Sequence, residues 1–254
     1  MEKQTILVNK MEGIATIYLN RPEKRNAMTL DMWKQIPKIL SRLESDTDVK
    51  VVIIRGVDEN AFSAGADIEE FEIERVDAAR SQNYDNCITA AGNAIGECPK
   101  PIIAMIEGSC IGGGSEIALA CDIRFSSVTG IFGITPAKIG LIYGVPQTKR
   151  LIDTVGPSRA KDILFSGRFL DAMEAYQIGL IDHVYPSESI VEETYNYARL
   201  LSKRSQATIK AAKMITHSIL QGTADLEFEH NYTYFSADIF EGIKAFKEKR
   251  QPQF

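Results

Sequence analysis

One stretch constrains this chain more than any other: Lys100-Pro101-Ile102-Ile103-Ala104-Met105-Ile106-Glu107-Gly108-Ser109-Cys110-Ile111-Gly112-Gly113-Gly114-Ser115-Glu116. Residues 102–106 form an uninterrupted apolar run, the pattern of a strand buried on both faces. Four glycines follow within seven residues, Gly108 to Gly114, and from Ser115 the pattern turns helical. A strand, a glycine turn and a helix start present free backbone N–H groups at the positive end of a helix dipole, where an anion is favoured. Glycine lets a second molecule approach that backbone closely. Glu116 falls in the first turn, one carboxylate beside the expected anion site.

The rest of the chain alternates irregularly between strand and helix patterns, which implies a mixed α/β fold with short crossover units. Ile6–Val8 and Ile14–Leu19 read as strands joined by a short connection at residues 9–13. Thr29 is an expected N-cap for a helix running to about Leu43. Its apolar residues Leu30, Trp33, Ile36, Ile39, Leu40 and Leu43 share one face, and Pro37 is expected to kink or break it. Val51–Ile54 is a buried strand. Residues 56–61 read as a polar loop, and Phe62–Ile68 as a small-residue loop entering a helix. Residues 76–97 are weakly amphipathic, with Gly92 blurring the helical pattern. Residues 121–126, 130–133 and 181–185 are strand-like. Thr135-Pro136 suits the start of a helical turn. Helical patterns cover 147–155, 158–166 and 171–178. Beyond Ser187 only helical patterns remain, near 191–202, 206–220, 224–240 and 238–249, with no flexible linker before them.

Composition narrows the function classes. A net charge of −5 over 254 residues argues against a general nucleic-acid binder. No apolar run reaches the ~18 residues of a membrane span. Met1-Glu2-Lys3-Gln4-Thr5 carries no apolar signal segment, so a cytoplasmic protein is expected. Cys87, Cys98, Cys110 and Cys121 contain no C-x-x-C pair and read as reduced, packed thiols. His183, His217 and His230 lack metal-ligand spacing, so no metal is expected. No serine stands in a G-x-S-x-G elbow, and no phosphate-loop glycine pattern is present. Two small-residue turns that each open a helix, Ser63–Asp67 and Gly112–Glu116, could converge two N–H donors on one developing oxyanion.

The chain resembles the crotonase superfamily, the enoyl-CoA hydratase/isomerase family. The resemblance is carried by Asn20-Arg21-Pro22 with Asn26-Ala27-Met28, Phe62 to Ile68, Lys100 to Ala104 and Gly108 to Glu116. Cys121-Asp122-Ile123, Ala175 to Gly179 and Phe246 to Arg250 extend it along nearly the whole chain. It implies an α/β spiral of ββα units over residues 1–186. It further implies a helical region, 187–254, packed on the core and used to build trimers or hexamers. The implied substrate is an acyl- or enoyl-coenzyme A thioester, with no cofactor beyond the coenzyme A of the substrate.

The resemblance also implies residue roles. Backbone N–H groups of Ala66 and Gly113 would hold the thioester oxygen as an enolate forms, with Glu116 as acid/base. Hydratases carry a second glutamate after a Phe-Gly turn and a proline; here Phe132-Gly133-Ile134-Thr135-Pro136 is followed by Ala137. Thr135 and Tyr143 are the candidates to take over. Those two residues with Glu116 also resemble the loop of methylmalonyl-CoA decarboxylases, which carry histidine at the position of Ala66. Decarboxylation of a malonyl-type CoA is therefore the alternative chemistry. A non-catalytic CoA- or RNA-binding relative would be expected to lose the glycine turn or Glu116, and both are kept. Coenzyme contacts are expected from Arg25, Ala64, Gly65, Asp67, Ile68 and Lys249. Glu69 stands where several relatives have lysine.

Overall fold

The apolar runs become the centre of a six-stranded sheet. The computed structural model describes residues 4–224 and 237–254. The sheet runs in the spatial order β1 (Ile6–Met11), β2 (Ile14–Leu19), β3 (Val51–Gly56), β5 (Ile102–Ile106), β7 (Ile123–Ser127) and β10 (His183–Tyr185). β1 and β2 form an antiparallel hairpin, and every later pairing is parallel. The second hairpin strand has the bounds the sequence suggests and the first is longer, leaving Glu12 and Gly13 as a two-residue turn with both φ angles positive.

Alternation along the central strands explains why Val51–Ile54 and Ile102–Ile106 are apolar without a break. Ala15, Ile17, Val52, Ile54, Ile102 and Ala104 face the larger core, with α1 (Leu30–Ser45) and α3 (Ala78–Glu97). Their neighbours Ile14, Val51, Ile53, Ile103 and Met105 face Ile190 and Ala198 of α8 (Ile190–Ser202). With period two and a hydrophobic layer on each side, the segments Val51–Ile54 and Ile102–Ile106 have no position open to solvent.

Thr29 caps α1 as expected, its side chain accepting the Met32 N–H at 3.2 Å. Pro37 does not end the helix, which continues to Ser45. An interior proline costs about 3 kcal/mol. Burial of Trp33, Ile36, Leu40 and Leu43 on the same helix outweighs it, at roughly 1.5–3 kcal/mol for each large apolar side chain.

A second, smaller sheet places the site. Its order is β4 (Ala61–Ser63), β6 (Ser109–Ile111), β8 (Ile131–Gly133) and β9 (Leu170–Asp171). The first three are mutually parallel, and β9 is antiparallel to β8. Three of these four strands are three residues long, and two lie where the sequence pattern reads as loop or glycine turn. Because β4, β6 and β8 are parallel, the segments that leave their carboxyl ends emerge on the same side. Those segments are residues 64–68, the turn into α4 (Gly113–Ala120), and residues 134–144 leading into α5 (Val145–Val155).

The remaining helices are α2 (Phe71–Glu74), α6 (Pro157–Ser166), α7 (Ala172–Gln177), α9 (Gln206–Gln221) and α10 (Ala237–Glu248). The helical pattern expected over 224–240 lies largely outside the described residues, as does His230. Among the described residues, no helix is long and apolar enough to cross a membrane, and no cluster of three or more His, Cys, Asp or Glu could hold a metal ion. All four cysteines are unpaired thiols, three of them buried.

Candidate active site

The three carboxyl-end segments are stitched together by the backbone. Ser115 Oγ donates to Cys110 O at 2.8 Å and to Gly133 O at 3.1 Å, while Gly112 N–H donates to Gly133 O at 2.8 Å. These bonds tie α4 to β6 and β8. On the β4 side, Ser63 Oγ donates to Asn26 O at 2.8 Å and accepts the Gly65 N–H at 3.2 Å. Asn26 is fully buried, bonding Ala61 O and the Arg21 N–H through its amide.

The two turns approach as closely as backbones can. A β-carbon on Gly113 would stand 2.8 Å from the Trp33 ring and 3.4 Å from the Ala66 nitrogen; one on Gly114 would stand 2.6 Å from Ser63 O. Only glycine fits between them. Met28 bonds to Gly65 O and to the Asp67 N–H on either side of Ala66, in a parallel bridge. That pairing turns the Ala66 N–H away from Met28. Gly113 is the first residue of α4, where N–H groups have no helical acceptor.

These segments enclose a cavity of about 510 Å³. Ala66, Gly113, Glu116, Thr135 and Tyr143 all line it, as do Ala64, Gly65 and Ile68. Three sequence-level candidates do not. Asp67 is buried in an ion pair with Arg21 at 2.8 Å, and its side chain accepts the Glu69 N–H, so it braces the loop instead of facing a ligand. Arg25 is exposed beside the wall, its carbonyl accepting the Ala64 N–H at 2.8 Å. Lys249 is exposed at the end of α10 and away from the cavity wall. Glu69 pairs with Lys24, which accounts for an acid at that position.

Glu116 is 1% exposed. Burial pushes its carboxyl up to about 7, against the pull of the Arg150 guanidinium, which bonds Oε1. Burial and the Glu116 charge push the Tyr143 phenol well above its usual range, so it remains a neutral O–H donor. Ala137 is exposed and does not line the cavity. The second carboxylate on the wall is Asp85, at the rim and paired with Arg75 at 2.5 Å.

Five buried side-chain polar atoms lack a hydrogen-bond partner among the described residues: Trp33 Nε1, Arg75 Nε, Glu116 Oε2, Tyr143 Oη and Gln147 Oε1. Four of these belong to residues lining this one cavity. Buried polar groups are normally satisfied, so their concentration here marks a place built for a polar ligand. Sequence reasoning missed Arg75, Asp85, Gln147 and Arg150. None carries a local signal: Asp85 lies on α3, Gln147 and Arg150 on α5, and Arg75 directly after α2.

The family model of enoyl-CoA hydratases/isomerases matches residues 9–254. The chain belongs to the enoyl-CoA hydratase/isomerase family. It is 33% identical over 257 residues to the mitochondrial methylglutaconyl-CoA hydratase of Mus musculus, covering 98% of this chain and 81% of that protein. Its fold matches an enoyl-CoA hydratase/isomerase family protein of Hyphomonas neptunium with a TM-score of 0.94 at 37% identity, over 99% of this chain and 97% of the other. A Magnetospirillum magneticum protein described as an enoyl-CoA hydratase/carnithine racemase matches with a TM-score of 0.95 at 33% identity, over 100% and 96% of the two chains. The two mixed sheets and C-terminal helices are thus the crotonase fold. Family membership implies an enzyme acting on acyl-CoA.

Proposed function

We propose that the cavity holds the thioester of an enoyl- or acyl-CoA, with its oxygen between the N–H groups of Ala66 and Gly113 and with Glu116 as the acid/base. One observation carries this reading: Glu116 Oε2 is buried without a hydrogen-bond partner among the described residues, in the same cavity as two close-packed helix-opening turns. In the hydration direction, Glu116 takes a proton from water as the water oxygen bonds to C3 of the enoyl thioester. Negative charge gathers on the thioester oxygen, where the two N–H groups and the α4 dipole stabilise it. The proton then returns to C2, completing the addition of one water. A single carboxylate serves both steps, and the Tyr143 hydroxyl and Thr135 hold the water. Arg25, next to Ala64, is the cation we assign to the coenzyme phosphates.

A second reading has its own support. Thr135, Tyr143 and Glu116 line one cavity. These groups suit a substrate carboxylate leaving as carbon dioxide, which also generates a thioester enolate. A panel of crotonyl-CoA, methylglutaconyl-CoA, malonyl-CoA and methylmalonyl-CoA distinguishes the two. Loss of enoyl absorbance without carbon dioxide release is the expected result. Carbon dioxide from the malonyl-type thioesters alone would replace hydration with decarboxylation, and turnover of none would contradict both. We also expect a cytoplasmic homotrimer or hexamer assembled through residues 187–254; light scattering measures the subunit number, and a monomer would refute it.

A further inference from the structure

Glu116 is held from behind. Arg150 of α5 donates one N–H to Glu116 Oε1 and another to Asn93 Oδ1 of α3, the latter at 2.7 Å. Glu116 lines the cavity and Arg150 does not, so the arginine meets the carboxyl group from behind the cavity wall. The contact needs room. A β-carbon on Gly92 would stand 2.5 Å from Glu116 Oε1 and 2.7 Å from Arg150 Nη1. Gly92 lies within α3, a place where glycine weakens a helix and needs a packing reason.

We propose that Arg150 is the positioning residue of this active site: it fixes one oxygen of Glu116 so that the other faces the substrate, and Gly92 is the clearance that lets the two side chains meet. The inference rests on Glu116 being the acid/base. With Oε1 engaged, rotation of the carboxyl group is blocked, and protons enter and leave at Oε2. A carboxyl group held in this way is pre-organised, which matters because a misplacement of about 1 Å can cost a hundredfold in rate. The guanidinium has a second task. Burial favours the neutral acid, and the adjacent cation keeps the anion accessible near neutral pH. The other groups around Glu116 do not compete for this task. Tyr143 from the loop stays neutral, as does the Cys110 thiol of β6, pushed up by burial to about 12. α3 presents Gly92 and Asn93, which do not titrate.

The test uses the full-length chain carrying Arg150→Met, Arg150→Lys, Gly92→Ala or Glu116→Gln. Rates are read with crotonyl-CoA and by exchange of the α-protons of butyryl-CoA in D₂O. The titration of Glu116 is read by ¹³C NMR of glutamate carboxyl carbons, its signal identified by its loss in Glu116→Gln. Arg150→Met is expected to move the Glu116 midpoint alkaline by about one to three pH units. The acid limb of kcat/KM in the hydration direction is expected to move with it. Gly92→Ala keeps both charges and is expected to lower kcat by about a hundredfold while KM changes little. Arg150→Lys recovers part of the rate that Arg150→Met loses. A Glu116 midpoint unmoved in Arg150→Met, or wild-type kcat in Gly92→Ala, would overturn the positioning role. Wild-type turnover in Glu116→Gln would instead overturn the reading on which it rests. The NMR midpoint needs only folded protein, so it decides the electrostatic part whatever the turnover.

Discussion

The two walls of the cavity are built differently. The wall made by residues 63–67 and 112–116 is interior. Its glycines pack against Trp33 and Ser63, its hydroxyls bond to backbone carbonyls, and Glu116 is buried in its centre. The wall made by residues 134–147 follows β8 and is open to solvent: Ile142 is 91% exposed, and Ile139, Gly140 and Val145 are also exposed. The first wall carries the groups to which we assign stabilisation of a thioester enolate. The second carries Thr135, Tyr143 and Gln147, and it holds the Ala137 departure from the two-glutamate pattern. On the proposed reading, the common chemistry lies in the packed wall and the choice of reaction in the open one.

Three changes would break or sharpen that contrast. Gly113→Ala strikes the packed wall hardest, since its β-carbon meets the Trp33 ring and crowds the Ala66 nitrogen. We expect kcat to fall by about 10²–10³-fold, the usual loss when an oxyanion donor is displaced. Steady-state kinetics on crotonyl-CoA checks this, and a loss confined to KM would speak against the donor role. Tyr143→Phe strikes the open wall. It removes a buried hydroxyl with no hydrogen-bond partner among the described residues, so stability is expected to hold or rise slightly while kcat drops by about tenfold. Thermal melting and kinetics together separate this from a packing defect, which would lower both. Ile142→Ser is the mildest, because that side chain is almost entirely in solvent. Melting is expected to be unchanged, with a few-fold shift in KM that grows with acyl chain length, in keeping with the ~0.8 kcal/mol of a buried methylene.

The pH dependence belongs to the packed wall. In the proposed reaction Glu116 must be ionised to take a proton from water, and burial pushes its carboxyl up to about 7. In the hydration direction kcat/KM therefore falls as pH drops below that value, approaching a tenfold loss per unit. Glu116→Gln removes this limb together with the activity.

Much of the packed wall was legible because its signals are local. Gly112 to Glu116 announce a turn into a helix, and the apolar run before them announces a buried strand. Both follow from backbone freedom and burial within a few residues. The three-residue strands β4, β6 and β8 were mostly invisible as a sheet, since so short a strand depends on its parallel neighbours rather than on its own pattern. At Pro37 the helix does not break, for the converse reason: a local rule gave way to a buried helix face. Asp67 was read toward the ligand because it sits in the motif, but its charge is spent on Arg21. The Glu116–Arg150 contact links positions 34 residues apart, and no spacing rule reaches that far. Its one visible trace was Gly92, an unexplained glycine inside a helical pattern.

The most direct test of the central claim is Glu116→Gln, measured for turnover and for binding on the same sample. The substitution keeps the shape and removes the proton-accepting charge. The account predicts that turnover of crotonyl-CoA and α-proton exchange of butyryl-CoA fall by about 10²–10⁴-fold, while calorimetric affinity for butyryl-CoA stays within a few-fold of wild type. Turnover near the wild-type rate would contradict it.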